Sequence, residues 1–457
     1  MVSSFNHAIQ ANVATRSTIL DPDLLPSAGA RWDWAITALL GTLLIFMPAT
    51  FGAVEAWSQL IVFVLAAALA LSVAARAAFD AEFKLAKSWL FLPAVLFLLL
   101  TLLQVIPLPV SLVSKLAPWN VSIRQELLGT KFDTSGSTTF SLYPTATRDN
   151  LELIFVAVTI FITVASVYRT PRLIKLLLTV VFAIGCGEAI LALAQIATGS
   201  REIYWRIPVN PQVITSGSFV NYSNFAQFMN LSLAAGVALL LIRMREQHRF
   251  ESVSPSWRTQ LQRCWDLHRW YLVGIILCAI AVCTSMSRNG VISLVVAAAI
   301  VAVALFRHGA FDWQGWVIVA IPAAVFVVIL LFGFDFVYDR LATLHYDSSF
   351  KTREELTSST LRAWRSAPLV GTGLGTHEYV FPMFDTSHSP VLAAQADNDY
   401  AQLLEETGIV GAALAAAFYL GIAYLLVKLA RGGQTSVSNG VYGLALGLIA
   451  ISIHSAT

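Results

Sequence analysis

The chain has 457 residues, 57% of them hydrophobic and only 12% charged. Soluble domains carry about 25% charged residues, so this composition, with a mean hydropathy of +0.70, excludes an ordinary soluble domain and describes an all-α, polytopic membrane protein. A net charge of +2 without a basic stripe gives no footprint for nucleic acid. Of the four cysteines, Cys186, Cys278 and Cys283 fall in apolar runs and Cys264 in a basic segment, which implies neither a disulfide framework nor a metal cluster.

Residues 1–33 are polar and mixed, without the early apolar core of a cleavable signal peptide. They read as an N-terminal cytoplasmic segment, with the first span doing the targeting. A membrane-spanning helix needs about 20 apolar residues. Eleven runs qualify or nearly so: 34–49, 58–75, 90–106, 151–167, 176–197, 225–241, 271–286, 291–306, 316–332, 409–427 and 441–457.

Placing the N-terminus inside puts 17 of the 29 Lys and Arg residues in the inner segments, in line with the positive-inside rule. Residues 34–332 then hold the first nine spans, with outer loops at 107–150 and 199–223. A large outer loop with short helices covers 333–407, and the last two spans fill 408–457. The longest inner segment, 243–269, is basic and suits a surface facing anionic lipid.

The prolines and serines of 107–150 read as turns. The 199–223 loop is rich in aromatic and amide residues. That suits sugar contact through Trp205 and Asn221, or equally an aromatic belt at the membrane interface. Glu188 lies inside the fifth span, where a carboxylate is a functional candidate by default; a hydrogen-bonded contact between helices is the preferred reading.

Six stretches, in order, carry a resemblance. They are Q-V-I-P-L-P-V-S-L (104–112), S-L-Y-P-T-A-T-R (141–148), G-S-F-V-N-Y-S-N-F-A (217–226), S-M-S-R-N-G (285–290), R-A-W…P-L-V-G-T-G-L-G-T (362–376) and A-D-N-D-Y-A-Q-L-L-E-E-T-G-I-V-G (396–411). Spread over eleven spans, they resemble the bacterial O-antigen ligase/polymerase superfamily with its Wzy-type C-terminal region. The resemblance implies a metal-independent glycosyltransferase of the bacterial inner membrane, working on its periplasmic face without a cofactor. The implied donor is a glycan on undecaprenyl diphosphate, and the implied acceptor another glycan or a lipid A core. Relatives continue past the H-S that closes the last span, which leaves truncation at Thr457 open.

Such chemistry has two demands: stabilise a leaving diphosphate, and take a proton from the incoming hydroxyl. Without a metal, arginines meet the first, because the guanidinium fork matches phosphate oxygens and stays charged. Arg288, in a tight turn at the outer ends of two spans, is the first candidate for catalysis and diphosphate binding. Arg362 and Arg206 are further diphosphate candidates. Arg206 and Arg201 flank Tyr204 and Trp205. If 362–365 is helical, Arg365 shares a face with Arg362, though a solvated role suits it better.

Asp397 is the candidate base, with Asn398 and Tyr400 as sugar contacts. The same residues read as the N-cap of a short helix that Gly408 closes. Many relatives carry a histidine in this motif. Here Gln395, Ala396 and Asp397 stand instead, and His377 and His388 lie off the motif position. That disfavours a histidine-based ligase and favours a polymerase or a divergent role. The G-T-G-L-G-T run reads as a bend that brings backbone close to a ligand. The competing readings are a transporter or flippase, and a non-catalytic component of a polysaccharide export complex. A polar pocket at the helix ends favours an enzyme; one at mid-membrane favours a transporter.

Overall fold

The computed structural model describes residues 28–200, 202–208, 216–248, 257–285, 287–307, 348–385, 394–432 and 436–456. Its long elements are helices at the expected apolar runs: α1 (Ala28–Ala49), α2 (Ala56–Phe79) and α3 (Phe91–Val105), then α6 (Pro144–Val167), α7 (Pro171–Ala197), α8 (Tyr222–His248), α9 (Trp257–Thr284), α10 (Arg288–Arg307), α13 (Asp399–Gly432) and α14 (Ser436–His454). Seven of these are long and apolar enough to cross a membrane; α3 and the apolar parts of α9 and α14 are shorter. The expected span at 316–332 lies outside the described residues.

α8 is the axis of the bundle. Of its apolar window 83% is buried, against 11–39% in the other six candidate spans. Gly440, Gly443 and Gly447 of α14 let that helix ride on Ala234, Ala238 and Ile242 of α8, so closely that a Cβ at Gly443 would stand 2.4 Å from the Ala238 nitrogen. Small residues at such a contact gain packing where burial in lipid supplies no hydrophobic drive. Outward faces instead carry exposed Leu60, Val64 and Leu71 on α2 and Ile292, Ile300 and Val303 on α10. That much bare apolar surface fits lipid, not water.

The first outer segment departs from expectation. It folds as α4 (Val110–Leu116) and α5 (Pro118–Leu128), not as a chain of turns. Pro118 sits at the start of α5, where its missing N–H costs nothing, so the proline begins a helix instead of breaking one. A two-stranded pairing of β1 (Leu108–Pro109) with β2 (Ser137–Thr138) ties this unit together. Val113, Ala117, Val121 and Phe140 form its small core, which closes on Val370. A second pairing joins β3 (Glu202–Ile203) to β4 (Ile207–Pro208). In the last quarter, α11 (Ser348–Ser366) and α12 (His377–Val380) precede α13.

Hydrogen bonds gather the three expected outer segments at one end of the bundle. Asn120 donates to Phe140 O and Gly371 O, and Leu142 N donates to Thr372 O. Tyr204 donates its hydroxyl to Ala49 O. Glu188 Oε2 accepts from the backbone and hydroxyl of Ser218, at 3.1 and 2.7 Å, so this intramembrane carboxylate is hydrogen-bonded but pins a loop to a helix, where the sequence reading expects a contact between two helices. At the opposite end Arg76 pairs with Asp33, Arg169 donates to Lys84 O and Lys175 pairs with Glu246.

Candidate functional site

The site begins at the turn between α9 and α10. Ser287 Oγ accepts from Gly290 N at 3.1 Å and Ser287 O accepts from Val291 N, which makes Ser287 the N-cap and Arg288 the first residue of α10. Gly290 is needed because a Cβ there would lie 2.6 Å from Ala226 Cβ on α8. Asn230 of α8 secures the turn by donating to Gly290 O at 2.9 Å. A cation at a helix N-terminus opposes the dipole, so Arg288 does not stabilise its own helix; together with the helix end it favours an anion.

α11 supplies the opposite wall. Arg353, Thr357, Leu361 and Arg365 repeat along one stripe, with Ser358 and Arg362 beside it, the spacing of a single helical face. The Arg362 guanidinium is held by Ser358 Oγ at 3.3 Å, Ser359 Oγ at 2.7 Å and Phe384 O at 3.1 Å.

The turn before α13 closes the space. Asn398 is its N-cap: Oδ1 accepts from Ala401 N at 3.1 Å, and Nδ2 donates to Ala456 O at 3.3 Å. Asp399 N donates to Ser455 O, so the end of α14 is tied to the start of α13. Asp397 holds φ +54, a left-handed conformation that Asp tolerates better than most residues. Its carboxylate faces Arg353 at 3.6 Å. Both partners are about half exposed, so the pair adds little stability and matters for where it holds the carboxylate.

These pieces enclose a cavity of about 700 Å³ at the helix ends, lined by Arg288, Arg353, Arg362 and Arg365 against the carboxylates Glu354 and Asp397. Four guanidinium groups around one carboxylate turn can hold a multiply charged, phosphate-bearing anion with a proton acceptor beside it. Among the described residues no group of three His, Cys, Asp or Glu is placed to hold a metal ion.

Of the residues singled out in the sequence, Arg288, Arg362, Asp397 and Asn398 line this cavity. The others lie elsewhere. Arg206 and Trp205 are exposed on the β3–β4 hairpin, where the Trp205 indole donates to Thr198 Oγ1 at 2.7 Å. Asn221 caps the start of α8 by accepting from Ser223 N. Tyr400 donates its hydroxyl to Ser452 O and so braces α13 on α14. Arg201 and His388 fall outside the described residues.

Arg353 was not singled out, and Arg365 was read as solvated. The signal for both is the four-residue spacing of 353, 357, 361 and 365, visible only once α11 is known to be one helix.

The glycine run, expected to bring backbone close to a ligand, is packed on protein. Gly371, Gly373 and Gly375 all have positive φ, and they pass against protein. A Cβ at Gly371 would stand 2.4 Å from the Glu406 backbone, and one at Gly373 2.4 Å from Ser141 Oγ. Thr372 N and Gly373 N donate to Glu405 O and Glu406 O. Gln104, at the end of α3, clamps the crossing: its amide donates to Val370 O and Glu406 O, and its oxygen accepts from Leu374 N. Behind it His377 Nδ1 lies 2.6 Å from Glu405 Oε2, with both side chains buried. This histidine belongs to the scaffold under the site and does not line the cavity.

The chain finds no match among curated proteins. Residues 273–416, which contribute Arg288, α11 and the Asp397 turn, match the family model described as O-antigen ligase.

Proposed function

We propose that the chain transfers a glycan from a lipid-linked diphosphate donor to a hydroxyl acceptor on the outer face of a bacterial inner membrane, in cell-surface polysaccharide synthesis. The observation that carries this reading is the convergence of Arg288, Arg353, Arg362 and Arg365 with Asp397 around one cavity at the helix ends. The family match supports glycan transfer as the reaction class. A cavity at the bundle end, and not at its middle, favours an enzyme over a transporter.

In this scheme the acceptor oxygen attacks the anomeric carbon of the donor sugar. Asp397 takes the hydroxyl proton, and the bond from the anomeric carbon to the diphosphate oxygen breaks. The diphosphate leaves with the electron pair, and its growing charge meets Arg288 and Arg362. Preorganised donors aimed at developing charge act most strongly where water is scarce. Arginines in that role make a divalent cation unnecessary, so transfer from a purified lipid-linked donor is expected to survive chelation by EDTA. A strict divalent-cation requirement would overturn the arginine-based scheme.

The decisive test is Arg288→Ala, with Arg288→Lys beside it, in a deletion strain complemented with the variant. Removing one preorganised donor costs about 2.7–4 kcal/mol of transition-state stabilisation, a hundred- to thousand-fold in rate. Lysine keeps the charge and loses the fork. Both variants are expected to reach normal membrane levels by blot and to lose most glycan transfer. Near wild-type transfer by Arg288→Ala would show that Arg288 is an anchor for the helix end and that the donor sits elsewhere.

A further inference from the structure

Two pairs of aromatic rings lie on the seam between the 107–150 unit and the α11–α12 segment. Tyr143 and Tyr379 meet as tilted rings with centroids 4.2 Å apart at 35°. Trp119 and Phe384 meet at 5.4 Å and 50°. The second pair is tied to the arginine cavity through its backbone, since Phe384 O accepts from Arg362, which lines the cavity. One short stretch carries both outer rings: α12 holds Tyr379, and the 3-10 turn Phe381–Met383 leads to Phe384. About 8–10 Å of helix separates them.

The tyrosines are exposed by construction. Tyr143 and Tyr379 stay 40% and 47% exposed on backbone that is firmly fixed. Leu142 N donates to Thr372 O at 2.8 Å, Tyr379 N donates to Thr376 O at 3.0 Å, and Thr376 is itself buried and bonded to Gly373 O. Next to Tyr379, His377 is locked onto Glu405. A rigid scaffold that holds two large rings outward keeps flat apolar surface in contact with solvent at a cost, and so marks a contact site.

The rim of the patch is acidic. Exposed Asp149 and Glu378 act on the Tyr379 hydroxyl. Partial desolvation first, then Tyr143 and these two carboxylates, push its phenol above the ordinary value. Flat rings beside carboxylates and phenolic hydroxyls suit one ligand class. Sugar rings lay their C–H faces on aromatic faces, which carry negative charge density, and offer hydroxyls to acids at the edge.

We propose that Tyr143 and Tyr379, with Trp119 and Phe384 continuing toward Arg362, form a platform for a glycan chain outside the transfer cavity. The platform deepens the glycan-transfer reading and rests on it: it grips sugar units beyond the one that reacts and leads the chain into the arginine cavity. The acids at its edge favour a hydroxyl-rich, uncharged stretch of glycan over a phosphorylated one, and separate its task from that of the arginines.

The test uses the full chain in lipid nanodiscs and the producing strain's own surface polysaccharide, cut by mild acid to oligosaccharides and free of lipid. Binding is read by saturation-transfer NMR titration. The variant Tyr143→Leu/Tyr379→Leu keeps apolar volume and removes both flat faces; Tyr143→Phe/Tyr379→Phe keeps the faces. We expect the leucine pair to bind at least tenfold more weakly than wild type and the phenylalanine pair to stay within about threefold. Equal binding by the leucine pair and wild type, or no binding by wild type, overturns the platform. Unchanged affinity with altered nanodisc incorporation assigns the rings to a membrane-interface belt and likewise overturns it. If the leucine pair does not fold, Trp119→Leu is titrated in its place with the same expectation. Arg288→Ala is titrated in parallel and is expected to bind normally, because these probes carry no diphosphate. Normal glycan transfer by Arg288→Ala overturns the donor-site reading alone, so the two failures are told apart.

Discussion

Asp397 joins a backbone feature to a chemical one. A non-glycine residue in the left-handed region costs on the order of 1–2 kcal/mol, and Asp and Asn bear it best. The conformation at φ +54 turns the carboxylate toward Arg353 and the cavity. Asparagine keeps the shape and the backbone tolerance and loses the basic oxygen. Asp397→Asn is therefore expected to melt like wild type and to lose transfer by about 10²–10⁴-fold, the usual worth of a general base. Full activity in Asp397→Asn would reduce Asp397 to a turn former. Gln104 makes a contrasting case, since it never touches the cavity. Replacing it with leucine strands Val370 O and Leu374 N in a buried crossing and leaves Glu406 O with Gly373 N alone. Each unsatisfied group costs about 1–3 kcal/mol, so Gln104→Leu is expected to lower the thermal midpoint clearly and to lose transfer only as the protein is lost. Sequence alone marks this turn, because a cluster of Asp and Asn before a helix is a cap signal, and Asn398 is the cap. It was silent on the work of Gln104, whose three partners come from segments far along the chain.

Among the elements, α13 shows which parts of a helix composition reveals and which it hides. Its apolar half was legible as a run at 409–427. Its polar half was legible as a separate capped helix closed by Gly408. The structure keeps them as two helical stretches of the segment Asp399–Gly432, parted at Gly408, whose φ 65 and ψ −172 are non-helical. The reason is contact: a Cβ at Gly408 would stand 2.3 Å from Leu369 O, and Ile409 N and Val410 N donate to Pro368 O and Leu369 O. The joint thus carries the segment after α11 across the base of the site. Gly408→Ala combines a strained φ with a backbone clash and is expected to leave little folded protein in the membrane by blot and detergent-extraction assays. Wild-type levels would mean that the crossing gives way easily. The 107–150 unit was illegible for the opposite reason. Its prolines and serines suggest turns, yet Pro118 begins α5 and the Asn120 amide donates to two carbonyls. α11 hid Arg353 in the same way, since a polar helix announces itself only by spacing.

For the whole molecule, the question is which way round it sits. The arginine cavity, the 107–150 unit and the β3–β4 hairpin share one end of the bundle. The other end gathers Arg76, Lys84, Arg169, Lys175 and Glu246. Each Lys or Arg near an anionic cytoplasmic leaflet adds about 1 kcal/mol of attraction, and short basic loops set orientation. The basic end is therefore expected inside, even though Arg288, Arg353, Arg362 and Arg365 stand at the other with Lys115, Arg124, Lys131, Arg148 and Arg206. The first four line a cavity instead of spreading over a lipid-facing rim, and Arg124 is turned inward onto Thr139 O and Ser141 O. We expect single cysteines at Ser135 and Glu354, in a chain whose four native cysteines have been replaced, to react with an impermeant maleimide once the outer membrane is permeabilised. A cysteine at exposed Glu82 should react only after the inner membrane is broken. The reverse pattern would put the cavity in the cytoplasm. There a donor would have to be met before it crosses the membrane, and transfer on the outer face would be impossible for this chain whatever Arg288 contributes.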